Sequence, residues 1–530
     1  MNRRSFLRNL ALAPVLPSAL SLSMLSQRAA AAGLNYEAIN FTAPAVMPQI
    51  INIFLYGGAS ELAGNITNIA DINTNSENSY TAAFGSGMLE NRDSDTDVNN
   101  GNNPQITPYG FWARAGGTFM EDMIASGDMS VYRTLHRRKN GTRSHREAIF
   151  INQKGALDVE NAPGLGTRLA LMLYTNRNTL ASSNCTLADG RRIGDTSEFE
   201  QGLLSLPLPF VSFEGQTTAF AQDPSLQTPF ALRDLSLNTN FDNPYSRSKS
   251  FNDSAIDTMV NDRIDQLVAN LSGQTAYAQR FQKAVSGFEA RATMANLVGD
   301  LSDARDAELP LVADVGDPDR NADTGRLVYP NTNFASQVRA AVTLAIHNPS
   351  TLYVSVGTPG LGGWDDHNNA IDRYRNRMRD MMHALRVAAK HIRLMNNSTI
   401  VSGNTRRTDN IIINVWGDFG RLVNLNNSMG WDHANNQNLY TIGGAGIRPG
   451  GSAALGKVVG TTERTGRTKT NNQYTQPTSD SYECEPMSVA ASMYQYFGAQ
   501  NPQVMTADSV YNPSGDVPMD ETVAGISPLF

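Results

Sequence analysis

The chain has 530 residues, 40% of them hydrophobic, with 43 basic side chains against 50 acidic ones and a formal net charge of −7. That supplies enough apolar surface for a substantial core, and the acidic balance argues against nucleic acid as a partner. The two cysteines, Cys185 and Cys484, permit a single disulfide in an oxidising compartment without requiring one.

Residues 1–32 combine a basic start, an apolar middle broken by Pro14 and Pro17, and a run of alanines, the layout of a cleavable export signal. The Arg3-Arg4 pair followed by Ser5, Phe6 and Leu7 resembles a twin-arginine signal, so a periplasmic or secreted protein is expected. Loss of this leader takes the basic count to 39 against 50 acidic residues, a net charge of −11. No other stretch is long and apolar enough to span a bilayer, and no transmembrane anchor is expected.

Residues 33–530 then read as one α/β unit. "PQIINIFLYGG" predicts a buried strand running into a glycine turn, and about 65–108 reads as a long Asn/Asp-rich surface excursion. "DMSVYRTLH" predicts a strand. "SHREAIFINQKG" predicts a helix capped by Ser144, with Glu147 completing a capping box. A helix in "GLGTRLALMLYTN" and a strand in "LPFVSFEG" precede a helical insertion at about 250–310. Next come a helix in "FASQVRAAVTLAIHN", a strand in "TLYVSVG", the long amphipathic helix from Ile371 and a strand in "NIIINVWG". The last helix starts at Pro486 and stops at Gly498. Alternation of strand and helix predicts a mostly parallel sheet.

Three polar clusters lie at predicted strand ends or beside them: Asp365, Asp366 and His367; Asp418; and Asp432 with His433. Each alone reads equally as a turn, because aspartate and asparagine cap turns. Together they suit a metal site, since a parallel sheet gathers its strand ends. Carboxylate with imidazole favours zinc, manganese or iron over calcium, which prefers oxygen ligands throughout. "GGAGIRPGG" lacks the order of a nucleotide-binding glycine loop and reads as a turn.

"FLYGG", "SHREAIFINQKG", "GGWDDH", "GDFGR" and "GWDH", taken in that order, resemble the bacterial family called domain of unknown function 1501, within the alkaline phosphatase and sulfatase superfamily. The resemblance implies a three-layer fold of alkaline-phosphatase-like type around a mostly parallel sheet. It also implies one or two divalent transition-metal ions, zinc or manganese, and an anionic ester as substrate. Asp365, His367 and His433 would hold one ion, Asp418 and Asp432 a second, with Asp366 a bystander. Ser144 would be the nucleophile, although it has a capping role of its own and Thr142 stands nearby. Arg421 would reach a substrate anion or else pair with a carboxylate. Where the superfamily places a metal-binding aspartate after the first strand, this chain has Ser60 and Glu61. The implied activity is hydrolysis of phosphate or sulfate esters through a serine-linked intermediate. The competing reading is an exported binding or assembly protein that keeps the fold without catalysis.

Overall fold

Seven strands build the central sheet: β1 (Gln49–Leu55), β2 (Met129–His136), β3 (Phe210–Ser212), β4 (Tyr353–Val356), β5 (Ile411–Gly417), β6 (Asn436–Gly443) and β7 (Val458–Val459). The computed structural model describes residues 39–65, 107–137, 141–157, 162–195, 206–221, 236–242, 259, 262–263, 266, 296–307, 309–401, 404–423, 426, 428–448, 451–464, 475–479 and 481–506. The expected export signal, nearly all of the Asn/Asp-rich excursion and most of the expected helical insertion lie outside these residues. Of the insertion, 296–306 is helical.

The strand order is β7-β2-β6-β5-β1-β4-β3. β1 pairs in parallel with both β4 and β5, β3 with β4, and β7 with β2. β6 runs antiparallel to β5 and β2, so the sheet is mixed and mostly parallel. The sequence reading of a mostly parallel sheet stands, with β6 as the reversed strand. Wholly buried strands explain the unbroken apolar runs: every residue of β1 and β5 is buried.

Alternate residues of those strands enter two cores. Ile51, Ile53, Ile413 and Val415 face one, against α1 (Gly117–Ala125), α4 (Asn333–His347) and α5 (Ile371–Met395). Ile50, Phe54, Ile412 and Trp416 face the other, against α3 (Leu165–Thr175) and α6 (Pro486–Tyr496). Helices therefore cover both faces of the sheet. The predicted helix after Ser144 is α2 (His145–Lys154), which ends at Gly155 in the left-handed conformation.

One smaller expectation is corrected. Ser144 occupies the N-cap position of α2, but its side chain makes no capping hydrogen bond, and Glu147 instead accepts from Thr142 Oγ1 at 2.7 Å. The expected capping box is thus replaced by a bond reaching one residue pair further back. Cys185 and Cys484 are both buried and are not joined in a disulfide.

Candidate metal centre

β1, β4 and β5 lie side by side and parallel, so their carboxyl ends open onto one edge of the sheet, where α/β proteins bind ligands. Gly57 and Gly58 follow β1 with φ of +108° and +71°. A Cβ on Gly57 would stand 2.5 Å from the backbone nitrogen of Asp365, and one on Gly58 2.6 Å from the Phe419 ring. The glycine pair therefore lets the loops after β4 and β5 close over β1. Gly430 does the same for the third loop, its bare Cα lying against the carbonyl of His367.

Four ligand-type atoms converge there, from His145, Asp365, His367 and His433, all within 4.8 Å of one another. Asp365 Oδ1 lies 3.0 Å from His367 Nε2, 3.2 Å from His145 Nε2 and 3.4 Å from His433 Nε2. His367 Nε2 and His433 Nε2 are 2.9 Å apart. A tetrahedral shell with bonds of about 2.0–2.1 Å separates its ligand atoms by roughly 3.3 Å, so the spacing has the right size for one transition-metal ion.

The outer nitrogens decide how the imidazoles are protonated. His145 Nδ1 meets Asp418 Oδ2 at 2.6 Å, His367 Nδ1 meets Asp432 Oδ1 at 2.9 Å, and His433 Nδ1 meets the carbonyl of Arg143 at 2.8 Å. Carbonyl and ionised carboxylate oxygens only accept, so each Nδ1 donates its proton and each neutral ring turns a lone pair on Nε2 inward. In that tautomer three lone pairs and a carboxylate oxygen face one another, a donor set that could hold a cation. His145 Nε2 is buried without a hydrogen bond, which fits an atom kept for a ligand. The oxygen behind each ring is the arrangement that orients metal-binding histidines.

Charge around the centre is held from beneath. Arg421 is fully buried, and Nη2 donates to Asp365 Oδ1 at 2.6 Å. It also donates to the carbonyls of Gly57, Gly58 and Trp431, tying three loops together. Burial works to raise the Asp365 pKa, but the hydrogen bond and charge of Arg421 hold it down at about 2. The hydrogen bond to Asp418 raises the pKa of His145 against the effect of burial. Burial, with Arg421, lowers that of His433. Phe419 walls the site, its ring centroid 4.6 Å from that of His145 and 4.5 Å from that of His433.

Of the residues anticipated from sequence, Asp365, His367 and His433 come together as one donor group. Asp418 and Asp432 do not gather at a second position; each stands behind an imidazole. Asp366 points away, buried in ion pairs with Arg373 and Arg377. Arg421, expected at a substrate anion, has its guanidinium committed to Asp365 and backbone carbonyls. Ser144 is exposed and directly precedes His145. Ser60 Oγ accepts from the Leu62 nitrogen at 3.3 Å, and Glu61 lies in the core with Oε2 accepting from Asn436 Nδ2, so neither joins the donor group. His145 is the member of the donor group that sequence reasoning passed over. Its signal was present, since it too lies downstream of a strand at this sheet edge, but the adjacent serine took the functional reading.

These features define an α/β protein with a three-histidine, one-aspartate centre at the carboxyl edge of its sheet. The family model described as "Protein of unknown function (DUF1501)" matches residues 118–479, and the chain belongs to that family. No curated protein and no solved structure matches it.

Proposed function

We propose that this chain is an exported hydrolase of phosphate or sulfate esters that depends on a single transition-metal ion, zinc or manganese, held by His145, Asp365, His367 and His433. The observation that carries the reading is the inward convergence of three imidazole lone pairs on Asp365 Oδ1, each ring fixed by an oxygen on its outer nitrogen. Export rests on the twin-arginine-like leader, and ester hydrolysis on the resemblance to the alkaline phosphatase and sulfatase superfamily.

An ion at this place would polarise an ester oxygen and ease loss of a hydroxyl proton. Ser144 supplies the nucleophile: its hydroxyl is exposed, is not used as a cap, and sits one residue from His145. Attack of Ser144 Oγ on phosphorus or sulfur would break the bond to the alcohol oxygen, which takes up the proton the serine loses, and leave a phosphoryl or sulfuryl group on Oγ; water would then cleave that group as phosphate or sulfate and return a proton to Oγ. Arg421 keeps Asp365 ionised and in place, and Asp418, Asp432 and the Arg143 carbonyl keep the imidazoles turned inward.

Metal analysis of the purified protein, with turnover of aryl phosphate and aryl sulfate before and after chelation, tests this reading. A protein that takes up no metal, or that loses no activity on chelation, rejects it. A second reading, a metal-binding exported protein without catalysis, is favoured by one observation. Asp418 and Asp432 are committed to imidazoles and Ser60 to a turn, which leaves no carboxylate set for a second ion among the described residues. Stoichiometric metal with no turnover of either ester would establish it.

A further inference from the structure

Between the end of β2 and the first turn of α2 the sequence reads "HRRKNGTRSHR", residues 136–146, with five basic residues and no acidic one. In a chain of net charge −7 this is a local reversal of sign. Arg138 and Lys139 lie outside the described residues. Arg137 is buried and donates to the carbonyl of Asp418 at 2.9 Å. Arg143 and Arg146 are exposed and bracket His145, and the Arg143 carbonyl is the one that holds His433.

Several surface arginines elsewhere lean on carboxylates, Arg191 on Asp189, Arg375 on Asp372, Arg393 on Asp128 and Arg407 on Asp409, while others, such as Arg177 over Tyr174 and Arg263 on Gln266, do not. Among the described residues, neither Arg143 nor Arg146 has such a partner, and Arg146 lies over the ring of Phe150 instead. Folding does not ask for them either. Cations at the start of a helix oppose its dipole, so both positions are electrostatically disfavoured for α2 itself. In the loop after β4 the exposed Asp365 is already paired with Arg421, and the other exposed residues of the loops at this sheet edge, Gly362, Gly363, Asn368, Asn369 and Ser428, carry no charge. Two unneutralised guanidinium groups beside an ion site draw in anions and match the geometry of phosphate and sulfate.

We propose that the centre acts on esters bearing a second anionic group, with the scissile phosphate or sulfate at the four-donor centre and the further anion held by Arg143 and Arg146. This rests on the four-donor group being a metal-dependent ester site. The full chain, loaded with zinc and assayed for zinc content, is titrated calorimetrically with glucose 6-phosphate and with glucose 1,6-bisphosphate. The bisphosphate is expected to bind about five-fold tighter, the scale of two exposed charge pairs. That ratio should fall toward one in R143A/R146A, and likewise in R143Q/R146Q, while R375A on α5 keeps it. Because both arginines are exposed, zinc content and melting temperature of the double variants report that the centre survives. A zinc-loaded wild type that binds the two sugars alike, or double variants that keep the preference, overturn the proposal and leave the metal reading standing. A chain that takes up no zinc overturns the metal reading and this proposal with it.

Discussion

Asp418 and His145, 273 positions apart in the chain, meet through a 2.6 Å contact between Oδ2 and Nδ1. The carboxylate is fully buried, and Oδ2 also accepts from the Gly57 nitrogen at 3.3 Å. One side chain thus joins the end of β5, the turn after β1 and the start of α2, and fixes the tautomer of an imidazole whose other nitrogen faces the centre.

That geometry makes Asp418 a positioning residue and gives a graded expectation for metal affinity. Asp418→Ala and Asp432→Ala should each weaken zinc binding by about 10- to 100-fold, the usual effect of losing a carboxylate behind a metal-binding histidine. His367→Ala removes a ligand and should cost more. Competition with a chromophoric chelator gives all three affinities, and equal losses across them would count against the distinction between ligand and support.

Asp366 should behave in the opposite way from its neighbours. It is buried between Arg373 and Arg377, the latter also nearly enclosed. Asp366→Ala leaves buried positive charge unpaired and should cost about 3 kcal/mol of stability, whereas Asp432→Ala, at a half-exposed carboxylate, should cost little in metal-free protein. Urea unfolding of the two metal-free variants separates them.

Stability should also depend on pH through groups outside the donor group. Burial pushes Glu61 up to about 8, against the pull of Asn436 and Arg133, so above its ordinary pKa of 4.5 the unfolded chain ionises while the folded one keeps its proton. The folded state then binds more protons, and stability falls as pH rises toward 8. Burial depresses His347 to about 4 and His391 to about 3, so the unfolded chain takes up their protons first as pH drops below 6.5, and stability falls there too. Glu61→Gln should remove a decline of roughly 1 kcal/mol per pH unit between about pH 5 and 8, which flattens the profile above pH 6.5 and steepens the histidine limb below it. Chemical denaturation across pH 4–9 measures both limbs, and a Glu61→Gln profile parallel to wild type would contradict the assignment.

Most of this architecture was legible in the sequence because its central strands are buried on both faces. The runs at Ile50–Leu55 and Ile411–Trp416 have no polar alternation to mislead, and glycine turns mark where they end. The reversal of β6 was not legible, since direction depends on how the chain returns after the Gly420–Arg421 and His433–Ala434 pairing, a contact between segments and not a pattern within one. The same limit explains the aspartates. Sequence placed Asp418 and Asp432 correctly at the sheet edge, but whether a carboxylate faces an ion or the back of an imidazole is set by two loops at once.

Ser144 provides the sharpest test of catalysis, because the two roles open to it predict different variants. A serine that caps a helix stabilises it by about 1 kcal/mol, so Ser→Ala destabilises and Ser→Asp does not. Here the hydroxyl makes no capping bond, and the helix start is braced by the bond between Thr142 and Glu147. Ser144→Ala should therefore melt with the wild type to within about 0.5 kcal/mol and keep its zinc. As the nucleophile its loss should lower ester turnover by at least about 1000-fold, since what remains is binding and electrostatic stabilisation alone. Ser144→Asp should be equally inactive and equally folded. If Ser144→Ala keeps turnover at the wild-type rate with zinc bound, the attacking oxygen is water and the serine-linked route is rejected while the metal centre stands.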